Sequence, residues 1–372
     1  MLSLAGRMSR ANGVIDVESF VSHTAQSKAP QMGAFNGGEE ALQCARLCSC
    51  PWPSHEVQKA PIADQFENPF CIEDLGTFDD SKLRSILGNG SFGLIIERLA
   101  WSLHGAPEAL IERIGQNVPL AERLCFMTEL RRPVTPPQVE AARCYVLDRL
   151  FWELTYWKTP ELYDELTEGE RLHPGIFEQL GPDIGGRAVL DAGAGSGRAS
   201  FECVGHGAER VYAVEPSPGL LGILEQKIAK QPAPGRIVPL QGDFAMLPLA
   251  TDSVDEAISC SAFTAEPAQG GESGLAELKR VTRPGGKIVI IWPRTQDYEW
   301  LAGHGFRYVA LPLHEEMRVH FRSMQSAVRC ARHFYAHNPY VVQYLLRANK
   351  PEVPFSVLGV NPPCDYCWLV VQ

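Results

Sequence analysis

The chain has 372 residues, 45% hydrophobic and 21% charged, a globular composition with room for one large or two ordinary domains. A formal net charge of -10 gives no general attraction for polyanions, so neither nucleic acid nor an anionic membrane is an expected partner. The eleven cysteines follow an opening without a secretory apolar run, and no stretch nears the ~18 apolar residues of a membrane span, so the expectation is a cytoplasmic protein with reduced thiols.

Residues 1–75 are rich in Gly, Pro, Ser, Gln and Asn without a sustained period and read as a poorly ordered tail. Residues 76–160 turn helical. "DDSKLRSILGNG", "FGLIIERLAWSLHG" and "APEALIERIGQNVPLAERLCFMTEL" carry apolar residues three and four apart, broken by Gly and Pro. A longer helix follows Thr135 as N-cap with Pro136 at its first position, and Val146, Leu147, Leu150, Phe151, Leu154 and Trp157 form one broad face. The aromatic group Tyr145, Phe151, Trp152, Tyr156 and Trp157 reads as core packing, with a lid over a neighbouring site as the alternative. This all-α region is also the candidate surface for a homodimer. Cys44, Cys48 and Cys50, and separately Cys364 and Cys367, provide no second matched C-x-x-C pair, so no metal is expected.

Residues 161–372 alternate short β-branched runs with helical stretches: "RAVLDAG", "RVYAVEP", "IVPLQGD", "VDEAISC" and "KIVIIWP", then "FRYVALP" and "DYCWLVVQ". Near-continuous apolarity in the first five predicts a parallel sheet covered on both faces, with a helical insertion at 313–350 before the final strand. The first strand ends "DAGAGSGR". Its glycines 193, 195 and 197 are spaced G-x-G-x-G, and Arg198 stands where a dinucleotide fingerprint needs its third glycine. Asp191 ahead of them would repel a pyrophosphate but attract an ammonium or a sulfonium. Glu215, at the end of the second strand, can accept both hydroxyls of a ribose. Asp243, after the third, can accept an adenine amino group while Phe244 or Met246 covers the ring.

With "ELKRVTRPGGKIVII" leading into the fifth strand, residues from about 160 onward resemble a class I S-adenosylmethionine-dependent methyltransferase of the small-molecule, type 11-like kind. The resemblance implies a Rossmann-like seven-stranded sheet and S-adenosyl-L-methionine as cofactor. It implies that Asp191, Gly193, Gly195 and Gly197 cradle the methionine portion, Glu215 the ribose, and Asp243 with Phe244 the adenine. Ser261, past the fourth strand, would line the methyl-donor mouth. The reaction then expected is methyl transfer to an oxygen or nitrogen of a small-molecule metabolite. A general base is needed only for a hydroxyl or a protonated amine, and the candidates are His173, Glu266 and His304. A non-catalytic scaffold retaining the fold is the competing class, and a thiol or metalloid methyltransferase a lesser one. The basic excess of the insertion, Arg318, Arg322, Arg329, Arg332, Arg347 and Lys350 against Glu315 and Glu316, reads as a solvated helix face, or alternatively as an anchor for a substrate carboxylate or phosphate.

Overall fold

The computed structural model describes residues 68–88 and 92–372. Most of the expected tail, including Cys44, Cys48 and Cys50, lies outside them. Its last residues differ from expectation: Phe70, Ile72 and Leu75 are buried around a 3-10 turn at Ile72–Thr77, which packs on a long helix and is pinned there by the Lys158–Asp74 ion pair. Three apolar positions on so short a turn leave no periodicity to read.

The helical region consists of α1 (Asp80–Leu87), α2 (Ile96–Ser102), α3 (Glu108–Asn117), α4 (Leu120–Leu130), α5 (Pro136–Lys158) and α6 (Pro160–Gly169). Each boundary has a local cause. Asp79 caps α1 by accepting from the Lys82 N–H, Pro119 separates α3 from α4, and Gln138 Oε1 accepts from the Thr135 N–H at 2.8 Å where α5 begins. Along α5 the residues Val146, Leu147, Leu150, Phe151 and Leu154 are buried as one face, against α2 and the 3-10 turn. α7 (Pro174–Ile184) then leads into the sheet.

β1 (Ala188–Ala192) is followed by α8 (Arg198–Gly205), β2 (Arg210–Glu215), α9 (Pro218–Ala229), β3 (Ile237–Gln241), β4 (Val254–Cys260), α10 (Gly271–Val281), β5 (Thr282–Ile291), α11 (Tyr298–Gly303) and β6 (Arg307–Ala310). Within the expected insertion lie β7 (Arg318–His320), α12 (Met324–Phe334) and α13 (Pro339–Ala348); β8 (Glu352–Pro354) and α14 (Phe355–Leu358) follow it, and β9 (Asp365–Val370) closes the chain's last pairing. The insertion is therefore not purely helical. β7 and β8 pair antiparallel around buried Val319 and Val353, and strands of three residues are too short to show a period of two.

The seven-stranded sheet has the order β3-β2-β1-β4-β5-β9-β6, with β1 to β5 parallel and β9 antiparallel to both its neighbours. This is the Rossmann-like arrangement expected. Strand order reverses between β1 and β4, so the carboxyl ends of β1, β2 and β4 open on one crevice. Among the described residues no helix is long and apolar enough to cross a membrane.

Candidate functional site

The glycine ladder forms the loop between β1 and α8, and sterics explain its composition. Gly193 and Gly197 have φ of +73° and +98°, a region costly for other residues. A Cβ on Gly193 would lie 2.5 Å from the Ala262 Cβ, and one on Gly197 2.5 Å from Leu224 Cδ1. Gly195 is different, since a Cβ there would meet only Tyr163 Cε1, at 3.9 Å. The loop is thus packed at both ends and open in the middle, toward Tyr163.

Two buried carboxylates support it. Glu215 Oε2 accepts from the Gly195 N–H and Oε1 from the Ser217 N–H, each at 2.8 Å, so the tip of β2 is tied to the centre of the loop. Burial pushes the Glu215 carboxyl up to about 7, against the pull of those two N–H groups. A carboxylate has about four lone-pair sites, so acceptor capacity remains. Asp191 accepts from Ser200 Oγ at 2.6 Å through Oδ2, while its buried Oδ1 has no partner among the described residues. Burial raises this group to about 6.

Gln241, the residue paired with Glu215, ends β3 two positions before Asp243. Asp243 is exposed, and its Oδ1 accepts from the N–H groups of Ala245 and Met246, which folds the loop back and leaves the Met246 side chain in the open. The half-buried Phe244 ring meets Phe263 edge-on with centroids 5.4 Å apart, and its Cζ would lie 3.4 Å from a Cβ on Gly193. Ser261 follows β4 with φ +58°, and its hydroxyl accepts from Arg198 Nη2 at 2.9 Å. Asp191, Glu215, Asp243 and Ser261 accordingly stand at the carboxyl ends of four strands around one crevice.

The helical region covers that crevice. Ser217 Oγ donates to the Tyr156 carbonyl at 2.7 Å, and the Tyr156 and Tyr163 rings pack at 4.8 Å. Trp152 stacks on Phe334 of α12 at 5.6 Å. Of the aromatic group on α5, Phe151 is buried in the core, and Trp152 and Tyr156 pack with Tyr163 of α6. A cleft of about 1210 Å³ is bounded by the end of α6, the start of α7, α8 and the segment before β7; Ser196, Glu170 and Arg198 line it, whereas Asp191, Glu215, Asp243, Ser261 and the aromatics of α5 do not.

The three base candidates have other partners. His173 caps α7, its Nδ1 accepting from the Gly175 N–H at 3.1 Å, and also lines the cleft. Glu266 is exposed and pairs with Arg294 at 3.3 Å. His304 packs on Trp300 with ring centroids 3.9 Å apart and pairs with Glu272 at 3.0 Å. Only His173 lies on the cleft wall. Sequence reading passed over Glu170 as a functional residue, and it noted Arg198 only for breaking a fingerprint. Glu170, in "TEGERLHP", carries no local signal.

Residues 190–290 match the family model described as a methyltransferase domain. An uncharacterized methyltransferase of Geobacillus kaustophilus is 30% identical over 150 residues, 40% of this chain and 66% of that one. A demethylmenaquinone methyltransferase of Renibacterium salmoninarum is 36% identical over 107 residues, covering 29% and 41%. A malonyl-[acyl-carrier protein] O-methyltransferase of Serratia marcescens is 34% identical over 111 residues, covering 30% and 40%. The chain spans less than two thirds of the length of each of these relatives.

Proposed function

We propose that this chain, a class I methyltransferase by its domain at 190–290, binds S-adenosyl-L-methionine at the carboxyl ends of β1 to β4 and methylates an oxygen or nitrogen of a small molecule. The observation that carries the reading is the loop 193–197, open above Gly195 and flanked by the buried carboxyls of Asp191 and Glu215. Those residues fit such a donor. Asp191 has an oxygen without a partner among the described residues, Glu215 has acceptor capacity left for ribose hydroxyls, and two carboxyls beside the loop favour a cation over a phosphate. Asp243 and Phe244, just past β3, support an adenine subsite there.

When bound, S-adenosyl-L-methionine supplies a methyl group made electrophilic by its sulfonium. The protein's part is to position and to exclude water. The loop 193–197 and Glu215 would hold the donor, Ser261 and Arg198 would line its mouth, and Tyr156 and Tyr163 would cover it. Orientation of this kind supplies up to ~7–11 kcal/mol of barrier reduction. The cleft suits a metabolite, and two of the relatives are named as a demethylmenaquinone methyltransferase and a malonyl-[acyl-carrier protein] O-methyltransferase.

Calorimetric titration with S-adenosylmethionine and S-adenosylhomocysteine tests the reading. Both bind the wild type, and Glu215→Ala weakens each by roughly tenfold or more, the worth of a charge-assisted hydrogen bond. A wild type that binds neither ligand refutes it.

A further inference from the structure

Arg198, the first residue of α8, reaches across the crevice between β1 and β4. Its Nη2 donates to Ser261 Oγ at 2.9 Å and to Cys260 Sγ at 3.5 Å, and its Nη1 donates to the Glu170 carbonyl at 3.1 Å. The same Nη1 lies 3.6 Å from Glu170 Oε2, and the guanidinium sits 5.7 Å from the centre of the Trp292 ring. Glu170 caps the end of α6 and is only 2% exposed. Its Oε1 has no hydrogen-bond partner among the described residues, although the group lines the cleft.

An arginine in such a place stays charged, so it requires a counterion. Glu170 fills that role through Oε2, with Tyr335 also hydrogen-bonded to the carboxyl, and leaves Oε1 unmatched, which is unfavourable for a buried acceptor. Arg198 is thus neutralised within the fold, while Arg171, Lys227 and Arg318 also line the cleft. What Oε1 lacks, among the described residues, is a hydrogen-bond donor.

We propose that Glu170 Oε1 binds an O–H or N–H of the methyl acceptor and takes its proton, while Arg198 positions the carboxylate beside Ser261 at the donor mouth. This rests on the methyltransferase reading above. In the step, the acceptor's lone pair forms the new bond to the methyl carbon, the carbon–sulfur bond breaks with its electron pair passing to sulfur, and the acceptor's proton ends on Oε1. The acceptor class is then a hydroxyl or amine compound. Burial raises the Glu170 carboxyl to about 7, partly opposed by Arg198, which suits proton transfer near neutrality. The other titratable groups facing it are Tyr335 and Cys330 from α12 and its end, and Tyr163 on its own helix.

The test compares wild type, Glu170→Gln and Glu170→Asp in three measurements. These are calorimetric binding of S-adenosylhomocysteine, transfer of labelled methyl from S-adenosylmethionine into the low-molecular-weight fraction of a cell extract, and infrared titration of buried carboxyls. Expected are product affinity within about threefold of wild type in both variants, transfer lowered ~100-fold or more in E170Q and less in E170D, and a carboxyl titrating near neutrality in wild type that E170Q lacks. Undiminished transfer by E170Q or by E170D overturns the proposal, as does loss of product binding together with transfer, or a wild type with no such titration. If E170Q does not fold, E170D and the wild-type titration decide. A wild type that binds no S-adenosylhomocysteine defeats the methyltransferase reading itself, whereas a wild type that binds and transfers beside an equally active E170Q defeats only the role of Glu170.

Discussion

Glu256 lies in the middle of the sheet on β4, between Val189 and Lys287 of the neighbouring strands, and is 1% exposed. Neither of its oxygens has a hydrogen-bond partner among the described residues. Burial, helped by the charge of Asp183 and opposed by Lys287 and Arg187, raises it from 4.5 to about 8. The folded protein therefore holds a proton that the unfolded chain has lost, and the sign follows. The contribution is fully present below about pH 4.5, declines as pH rises to about 8, and is lost above that. At pH 7 the deficit is about 3 kcal/mol, at about 1.4 kcal/mol per unit. Glu256→Gln keeps the shape and cannot ionise, so its stability relative to wild type should climb by about 3–4 kcal/mol between pH 5 and pH 8. Urea unfolding followed by tryptophan fluorescence at several pH values measures this. Glu256→Leu, which also removes the unmatched polar atoms, should show the same slope from a higher start. Parallel pH profiles for wild type and E256Q would mean that the carboxylate is ionised in the fold, and would refute the reasoning.

The donor site gives two further tests. Gly193→Ala places a methyl against the Ala262 methyl on a left-handed backbone, so it should lower S-adenosylhomocysteine affinity at least tenfold and destabilise the loop by about 1–3 kcal/mol, measured by calorimetry and thermal unfolding. Because Asp191 and Glu215 are raised by burial to about 6 and about 7, a cationic ligand must draw off their protons. The affinity for S-adenosylmethionine should therefore rise with pH through that window, more steeply than that of its neutral product; equal slopes would contradict the two carboxyls' part in charge recognition. In the insertion, Arg329→Ala leaves the buried Glu165 without its arginine and should destabilise by about 1–3 kcal/mol, with faster hydrogen exchange in α12. Arg322→Ala removes a more exposed pair with Glu168 and should change stability by less than about 1 kcal/mol.

Those expectations depend on contacts that differ in how far the sequence announces them. The strands are legible because near-continuous apolar runs and β-branching act locally, and the loop because Asp191 and the glycines lie within seven residues of one another. The reversal of order between β1 and β4 is visible only in the fold. Other features have no local signature. Arg198 and Glu170 are 28 positions apart, and an unmatched oxygen is a property of three-dimensional surroundings alone. Buried Phe70, Ile72 and Leu75 stand in a segment whose composition reads as tail, because tertiary packing against α5 supplies what three residues cannot encode.

The arginines of the insertion show how pairing across the fold decides between readings. On composition alone they are either a solvated face or an anchor for an anion. Arg332, Arg347 and Lys350 are exposed, as a solvated face predicts, whereas Arg322 and Arg329 pair with Glu168 and Glu165 of α6, Arg318 pairs with Glu352 of β8, and Lys227 of α9 reaches Asp164 and Glu168 from the other side. The more exposed of these pairs, such as Arg322–Glu168, contribute little each, and the apolar stack of Trp152 on Phe334 adds to the hold of the insertion on α5. The charges instead fix which face of α6 meets the insertion. Glu170 ends that same helix, so pairing in the insertion sets the position of the one buried carboxylate that both lines the cleft and is tied through Arg198 to the donor mouth. Recognition of the acceptor would then depend on Glu170, and the basic excess of the insertion on holding it there.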